Sequence, residues 1–150
     1  MTANQQRDLH GLRALVTAAT SWRGHAIAFQ LARDGADVTV HGRDAPRGVQ
    51  TVEEIELRGG RAHFVAADLA AASVARLAKE VGDILVNDAG LAACGPTETF
   101  EMASFDATFD ANVRAAFVVA AFAPSLVSFR PKRAGNSRPS GSRKIAGGSE

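Results

Sequence analysis

Short apolar runs alternate with stretches of helical periodicity along the first 128 residues. Apolar runs of strand length lie at residues 12–18, 36–41, 62–66 and 83–86. Apolar residues at helical spacing lie at 24–33, from Pro46 to the Gly59-Gly60 pair, at 73–79 and at 104–123. A crossover between parallel strands lays its helix over one face of the sheet. The alternation therefore predicts an α/β fold with a doubly wound parallel sheet of about four strands.

The pattern ends near residue 129. Residues 129–150 are rich in Arg, Lys, Ser, Gly and Pro, and contain only Phe129 and Ile145 as large apolar residues. Six basic residues against Glu150 give this segment a net charge of +5, so the remainder of a chain with net charge +1 carries −4. We expect one folded domain at residues 1–128 and a disordered basic tail at 129–150.

Composition narrows the class of protein. The chain is 46% hydrophobic and 22% charged, which is typical of a soluble globular domain. Its single Cys94 cannot form an intramolecular disulfide, and residues 1–10 lack the apolar core of a signal peptide, so we expect a cytoplasmic protein. No apolar run reaches the roughly 20 residues of a membrane span.

Neither a metal site nor nucleic-acid binding is expected. The four histidines are scattered, and we expect them at surface or capping positions. The basic tail lacks interleaved aromatic residues and a recognisable binding fold, so electrostatic contact with nucleic acid is only a remote alternative.

The loop after the first predicted strand is the first place to look for a ligand. Parallel sheets bind ligands at the carboxyl ends of their strands, and phosphates bind at helix N-termini. Residues 17–28 read TAATSWRGHAIA, which resembles the T-G-A-T-S-G-I-G-x-A-I-A pattern of the short-chain dehydrogenase/reductase family. The resemblance implies a Rossmann-like dinucleotide-binding domain, with cofactor contacts from Thr17 and Gly24 and hydroxyl donors at Thr20 and Ser21.

Two of the three glycines in the family pattern are replaced. They correspond to Ala18, Trp22 and Gly24, so that only the last remains. Glycine permits unusual backbone angles and close approach to phosphate. Alanine at position 18 costs little if its backbone is ordinary, whereas Trp22 introduces an indole and could weaken or abolish binding. Arg23 could compensate by holding a phosphate oxygen. Taken alone, the segment is equally compatible with a strand-to-helix turn that binds nothing.

Two further positions resemble the family's adenosine contacts. Arg43 follows Gly42 at the end of the second strand, where dinucleotide-binding folds contact the adenosine ribose. An arginine at this position favours NADP, and NAD is the alternative. Asp44 could instead pair with Arg43 as ordinary surface charge. Asp68 and Leu69 follow the third strand and resemble the family's D-L, whose aspartate meets the adenine amino group. An aspartate there is otherwise often a cap or turn residue.

The fourth strand runs into Asn87-Asp88-Ala89-Gly90, which resembles the family's N-N-A-G motif. The resemblance implies that Asn87 ties neighbouring loops together through its amide and that Ala89 and Gly90 leave room for cofactor. Asp88 replaces an amide, which both donates and accepts, by a charged acceptor, so a hydrogen bond can be lost.

Farther along, Asn112 matches the asparagine of the family's Asn-Ser-Tyr-Lys active site, and it is the one candidate catalytic residue. The chain contains no tyrosine, and nothing in it matches the family's Y-x-x-x-K segment. We therefore expect the NADP-type nucleotide-binding half of such an oxidoreductase, cut short and unable to transfer hydride alone. The alternative is a non-catalytic interaction protein that pairs with a full-length relative in a homo- or hetero-oligomer.

Overall fold

A computed structural model describes residues 9–69 and 72–121. Its strands are β1 (Arg13–Val16), β2 (Asp37–Gly42), β3 (Arg61–Ala66) and β4 (Ile84–Val86). Its helices are α1 (Trp22–Arg33), α2 (Ala45–Leu57), α3 (Ala72–Ala78), α4 (Met102–Phe109) and α5 (Ala115–Ala121). A 3₁₀ turn at Thr97–Thr99 precedes α4, and a π-helical turn at Asp110–Arg114 joins α4 to α5. The predicted tail and the domain boundary near residue 128 lie outside the described residues.

The four strands form one parallel sheet in the order β3-β2-β1-β4. Val16 in β1 pairs with Val40 in β2 and with Val86 in β4, which fixes the register across the middle of the sheet. Residues 14–16 of β1 are fully buried, as expected of a short apolar strand between two neighbours. The predicted α/β fold is confirmed.

Helices cover both faces of the sheet, which confirms the doubly wound arrangement. On one face, small and apolar residues of α1 and α2, such as Ala28 and Ile55, pack with Val38 of β2. On the other face, Leu77 of α3 and Val119 of α5 pack against Leu15 of β1. Each face of β1 therefore has its own apolar cluster.

Local signals explain the ends of α1 and α2. Gly35 ends α1 with φ +100°, a conformation that favours glycine. Asp44 caps α2 by accepting a hydrogen bond from the Arg47 backbone N–H at 3.1 Å, and its other oxygen lies 3.3 Å from the Arg47 side-chain Nε. The suggested pairing of Asp44 with Arg43 is therefore wrong, because the carboxylate is engaged by Arg47.

The long helix predicted at 104–123 is interrupted. It begins earlier, at Met102, and is widened at Asp110–Arg114 into a π-helical turn that contains Asn112. Such turns are uncommon and are frequently found at functional sites.

Candidate functional site

The strand order defines a crevice at the carboxyl edge of the sheet. The chain proceeds from β1 outward through β2 to β3 and then returns to place β4 on the opposite side of β1. Loops that leave β1 and β4 consequently diverge to opposite faces, and the gap between them is where open α/β sheets bind ligands. Residues 17–21 form one side of this crevice and residues 87–91 the other.

Thr17 holds the two sides of the crevice together. It is buried, and its hydroxyl oxygen accepts hydrogen bonds from the backbone N–H groups of Asp88 at 2.9 Å and Ala89 at 3.0 Å. The same hydroxyl lies 3.3 Å from the Val86 carbonyl oxygen, to which it donates. The tie expected from the Asn87 amide thus comes from Thr17, while Asn87 is exposed at the crevice.

Ala18 has a left-handed backbone conformation. Its φ is +53°, so the condition under which alanine at this position would cost little is not met. An L-residue in this region costs about 1 kcal/mol or more relative to its usual conformations, because its Cβ approaches the following carbonyl. The family's glycine at this position has a physical reason, and this chain keeps the turn despite the alanine.

Gly24 allows α1 to approach the turn closely. A Cβ at this residue would lie 2.8 Å from the Ala18 carbonyl carbon and 2.9 Å from the Ala19 Cα, so any side chain here would force the helix and the turn apart. Gly24 therefore shapes the crevice through packing.

The first turn of α1 presents uncapped N–H groups. The Ser21 hydroxyl donates to the Ala18 carbonyl oxygen at 2.7 Å instead of capping the helix, and the first intrahelical bond is made by the His25 N–H. Helix geometry leaves the N–H groups of residues 22–24 without an intrahelical acceptor, at the positive end of the helix dipole. Trp22 is 97% exposed, so its indole does not bury these groups.

An ion pair crosses the crevice. The Arg23 side-chain Nε contacts an Asp88 carboxylate oxygen, which joins the first turn of α1 to the loop after β4. The Asp88 side chain is 7% exposed, whereas that of Arg23 is 78% exposed. The asparagine of the family pattern is thus replaced by Asp88, whose carboxylate pairs with the Arg23 guanidinium 65 residues away in the chain.

The ends of β2 and β3 carry the residues for which the family pattern implies adenosine contacts, and we call this region the adenosine side. Thr20 lies against Gly42, where a Cβ would come within 2.5 Å of the threonine methyl carbon. Arg43 follows directly and is exposed, as is Asp68 beyond β3. Leu69 packs with the apolar cluster under α3, so its side chain supports the loop.

His41 is buried beneath these loops, contrary to the expectation that the histidines lie at surface or capping positions. Its Nδ1 accepts from the Ala18 N–H at 3.4 Å, and its Nε2 lies 3.1 Å from the Ala67 carbonyl oxygen. An acceptor at Nδ1 requires the proton at Nε2, so the ring is neutral and donates to Ala67. Burial lowers the pKa of His41, although the Ala67 carbonyl and the Asp68 charge oppose the shift.

Asn112 lies on the β4 side of the crevice. Its Oδ1 accepts from the Leu91 N–H at 2.7 Å, and its Nδ2 donates to the Leu91 carbonyl oxygen at 2.8 Å. A Cβ on Gly90 would be 3.3 Å from the Asn112 Oδ1. The π-helical turn therefore brings the predicted catalytic asparagine into contact with the loop that carries Ala89 and Gly90.

The described residues contain no group of His, Cys, Asp and Glu side chains that could hold a metal ion. None of the helices that the structure describes is long and apolar enough to cross a membrane.

The short chain dehydrogenase family model matches residues 13–136. Gluconate 5-dehydrogenase from Gluconobacter oxydans is 38% identical over 119 residues, which cover 75% of this chain and 46% of that protein. The chain spans about half the length of the curated relatives it matches.

Solved structures show the same fold. A blue fluorescent protein from a metagenomic library, in complex with NADPH, is 34% identical with a TM-score of 0.71, and the match covers 77% of this chain and 51% of that one. A Beutenbergia cavernae structure with NADP bound at low occupancy is 36% identical with a TM-score of 0.73, covering 79% and 49% of the two chains. Both similar structures hold an NADP-type nucleotide.

Proposed function

The chain belongs to the short-chain dehydrogenase family, and from that membership we propose that its crevice binds the adenosine and phosphate parts of NADP(H). The observation that carries the proposal is the uncapped first turn of α1 at the topological switch point of the sheet. Free N–H groups at a helix N-terminus form a ready site for phosphate. The NADP(H) held by two structures similar to this chain supports the same ligand class.

The proposed cofactor contacts follow the geometry. The pyrophosphate would meet the N–H groups of residues 22–24. The Ser21 hydroxyl would join them only by releasing the Ala18 carbonyl oxygen, to which it donates its one proton. Arg43, exposed next to Thr20 and Gly42, would pair with the 2′-phosphate that distinguishes NADP from NAD. Asp68 would meet the adenine, while Ala89 and Gly90 would leave room for the nicotinamide half.

We further propose that these residues bind the nucleotide without completing an oxidoreduction. NADPH supplies a hydride when bound, but reduction of a carbonyl also needs a proton donor beside the substrate oxygen. The chain has no tyrosine, the residue with this role in the family. Asn112, whose amide groups are occupied by Leu91, would position the loop beside the nicotinamide.

Fluorescence titration with NADPH tests the binding proposal. Trp22 is the only tryptophan and no tyrosine is present, so the protein fluorescence reports on the first turn of α1. We expect saturable quenching by NADPH, with weaker binding of NADH. The Arg43→Ala variant should bind NADPH about tenfold more weakly, which corresponds to the loss of roughly 1.4 kcal/mol, and should leave NADH unchanged.

Two controls accompany this titration. Arg33→Ala removes an exposed arginine from the last turn of α1, at the other end of the sheet, and should change neither affinity. Free N-acetyltryptophanamide corrects for absorption of light by NADPH. A strictly linear decrease in the folded protein up to millimolar nucleotide would refute the binding proposal.

A second candidate function is pairing with a full-length relative. The observation in its favour is an apolar face along α4 and α5, on which large side chains are 47–70% exposed. These residues are Met102, Phe105, Phe109, Val113 and Phe117. Exposed apolar patches of this kind often mark protein contacts. A monomer by native mass spectrometry, with and without a co-expressed relative, would count against this candidate.

A further inference from the structure

The ion pair between Arg23 and Asp88 lies where an anionic ligand would bind. Arg23 belongs to the uncapped first turn of α1, and Asp88 belongs to residues 87–91 on the opposite side of the crevice. Both residues depart from the family pattern quoted above, which has isoleucine and asparagine at these positions. Two uncharged residues have thus been replaced by opposite charges that contact each other across the gap.

The surroundings of Asp88 make its charge consequential. Its backbone N–H is bound to the Thr17 hydroxyl, and its side chain is only 7% exposed, so the carboxylate cannot turn freely into solvent. A carboxylate this close to the N-terminus of α1 is attracted by the helix dipole, as a phosphate would be. It also repels a second anion, and Arg23 offsets that repulsion while the pair is intact.

We propose that Asp88 acts as an internal anion that holds the Arg23 guanidinium and thereby lowers the affinity of the crevice for phosphate-bearing ligands. The inference rests on the proposed function, since the ligand is the pyrophosphate of NADP(H). A bound pyrophosphate must share or take Arg23 from Asp88, so the ion pair competes with the ligand. Asp88 is a positioning residue that acts through Arg23.

This competition predicts effects of opposite sign for the two single variants. Asp88→Asn removes the competing charge and frees Arg23, and should tighten NADPH binding about fivefold, the effect of roughly 1 kcal/mol between unit charges at contact distance in water. Arg23→Met leaves the Asp88 carboxylate unpaired beside the ligand and should weaken binding about tenfold. The double variant should bind about fivefold more weakly than the wild type, and not about twofold as independent effects would give, because an Arg23 freed by Asp88→Asn contributes more to binding than one held by Asp88.

The experiment measures NADPH affinity for the four proteins at one ionic strength, with inorganic pyrophosphate as a second ligand that lacks the adenosine and nicotinamide groups. Asp88→Asn should raise the affinity for both NADPH and inorganic pyrophosphate. Asp37→Asn and Arg61→Met make the same charge changes in the ion pair at the amino ends of β2 and β3, and should leave both affinities unchanged. Circular dichroism checks folding, and Arg23→Gln, which also removes the charge but keeps a polar side chain, replaces Arg23→Met if that variant unfolds.

Failure of the inference differs from failure of the proposed function. If the wild type binds NADPH but Asp88→Asn binds it no more tightly, or if the effect of losing Arg23 is the same with Asp88 and with Asn at that position, the inference alone is overturned. If none of the four proteins shows saturable binding of NADPH, the proposed function is overturned and the inference with it.

Discussion

The two sides of the crevice proposed to bind nucleotide differ in how well they are packed. On the adenosine side, α1 and α2 each bury a stripe of residues against β1 and β2, and five of the six residues of β2 are buried. On the β4 side, every residue of β4 is half-buried and α4 buries none. The turn proposed to bind phosphate is therefore supported by a core on its own side. The segment that carries Asn112 buries no side chain until Ala115 and Val119 of α5 join the second apolar cluster, so Asn112 itself is held by its hydrogen bonds to Leu91.

This difference in packing indicates which parts of the site tolerate backbone strain and which tolerate substitution of side chains. Where a core supports the backbone, unfavourable details such as the positive φ of Ala18 can be retained. Where apolar side chains are exposed, as along α4 and α5, substitutions have little packing to remove. The stability of the domain should consequently respond to changes beside α1 and α2 much more than to changes in α4.

The largest expected effect compares core truncations on the two sides. Ile55→Ala removes a side chain that is 1% exposed between α2 and the sheet, and should lower the free energy of unfolding by about 3 kcal/mol through lost burial and a cavity. Phe105→Ala removes a larger side chain that is 49% exposed, and should change it by less than about 0.5 kcal/mol. Urea unfolding followed by circular dichroism measures both, and equal losses would remove the basis of the comparison.

A glycine pair sharpens the comparison at the level of the backbone. Gly24→Ala places a Cβ against the Ala18 carbonyl group, and should destabilise the domain by about 2 kcal/mol as helix and turn move apart. Gly95→Ala is the matched control in the loop after β4, because its Cβ would meet Phe100 at an ordinary 3.4 Å. Unfolding midpoints report both changes, and a Gly24→Ala protein as stable as Gly95→Ala would show that the turn yields easily.

Sequence periodicity predicted the elements because each depends on neighbours in the chain. The apolar run at residues 12–18 contains β1, and the helical spacing at 24–33 lies within α1. The family pattern likewise pointed to loops that the sheet does bring to one edge.

The missed features depend on contacts between distant residues. The π-helical turn looks like ordinary alanine-rich helix in sequence, and it appears where Asn112 bonds to Leu91, 21 residues away. The burial of His41 requires backbone partners 23 and 26 residues away. No local pattern encodes such distances, although a histidine directly after the β-branched residues Val38–Val40 of a buried strand was a signal that its ring could be buried.

His41 makes the adenosine side sensitive to pH. Because its folded pKa is lowered, the unfolded chain binds a proton at this residue more readily than the folded protein does. The stability that the neutral His41 ring contributes to the folded protein is fully present above about pH 6.5, the usual pKa of histidine. It is lost as the pH falls from there through the lowered pKa of the folded state. The slope from this one group cannot exceed about 1.4 kcal/mol per pH unit.

Urea unfolding of the wild type and of His41→Asn at several pH values isolates the pH dependence of stability that comes from His41. The variant should be less stable at about pH 8, because it loses the hydrogen bond to the Ala67 carbonyl or the one from the Ala18 N–H. Below about pH 6.5, however, its free energy of unfolding should fall less steeply with pH than that of the wild type. Parallel declines in the two proteins would mean that other groups carry the pH dependence.

The smallest expected effect tests whether the core of the adenosine side compensates for a strained turn. Ala18→Gly relieves a φ of +53° but also increases the entropy of the unfolded chain, so the net stabilisation should be only about 0.5 kcal/mol. Ala19→Gly is the neighbouring control: Ala19 is fully buried, no positive φ occurs there, and the same substitution should destabilise by about 1 kcal/mol. If both glycines destabilise, the left-handed turn carries no strain for the core to offset, and the departure from the family pattern at Ala18 is neutral.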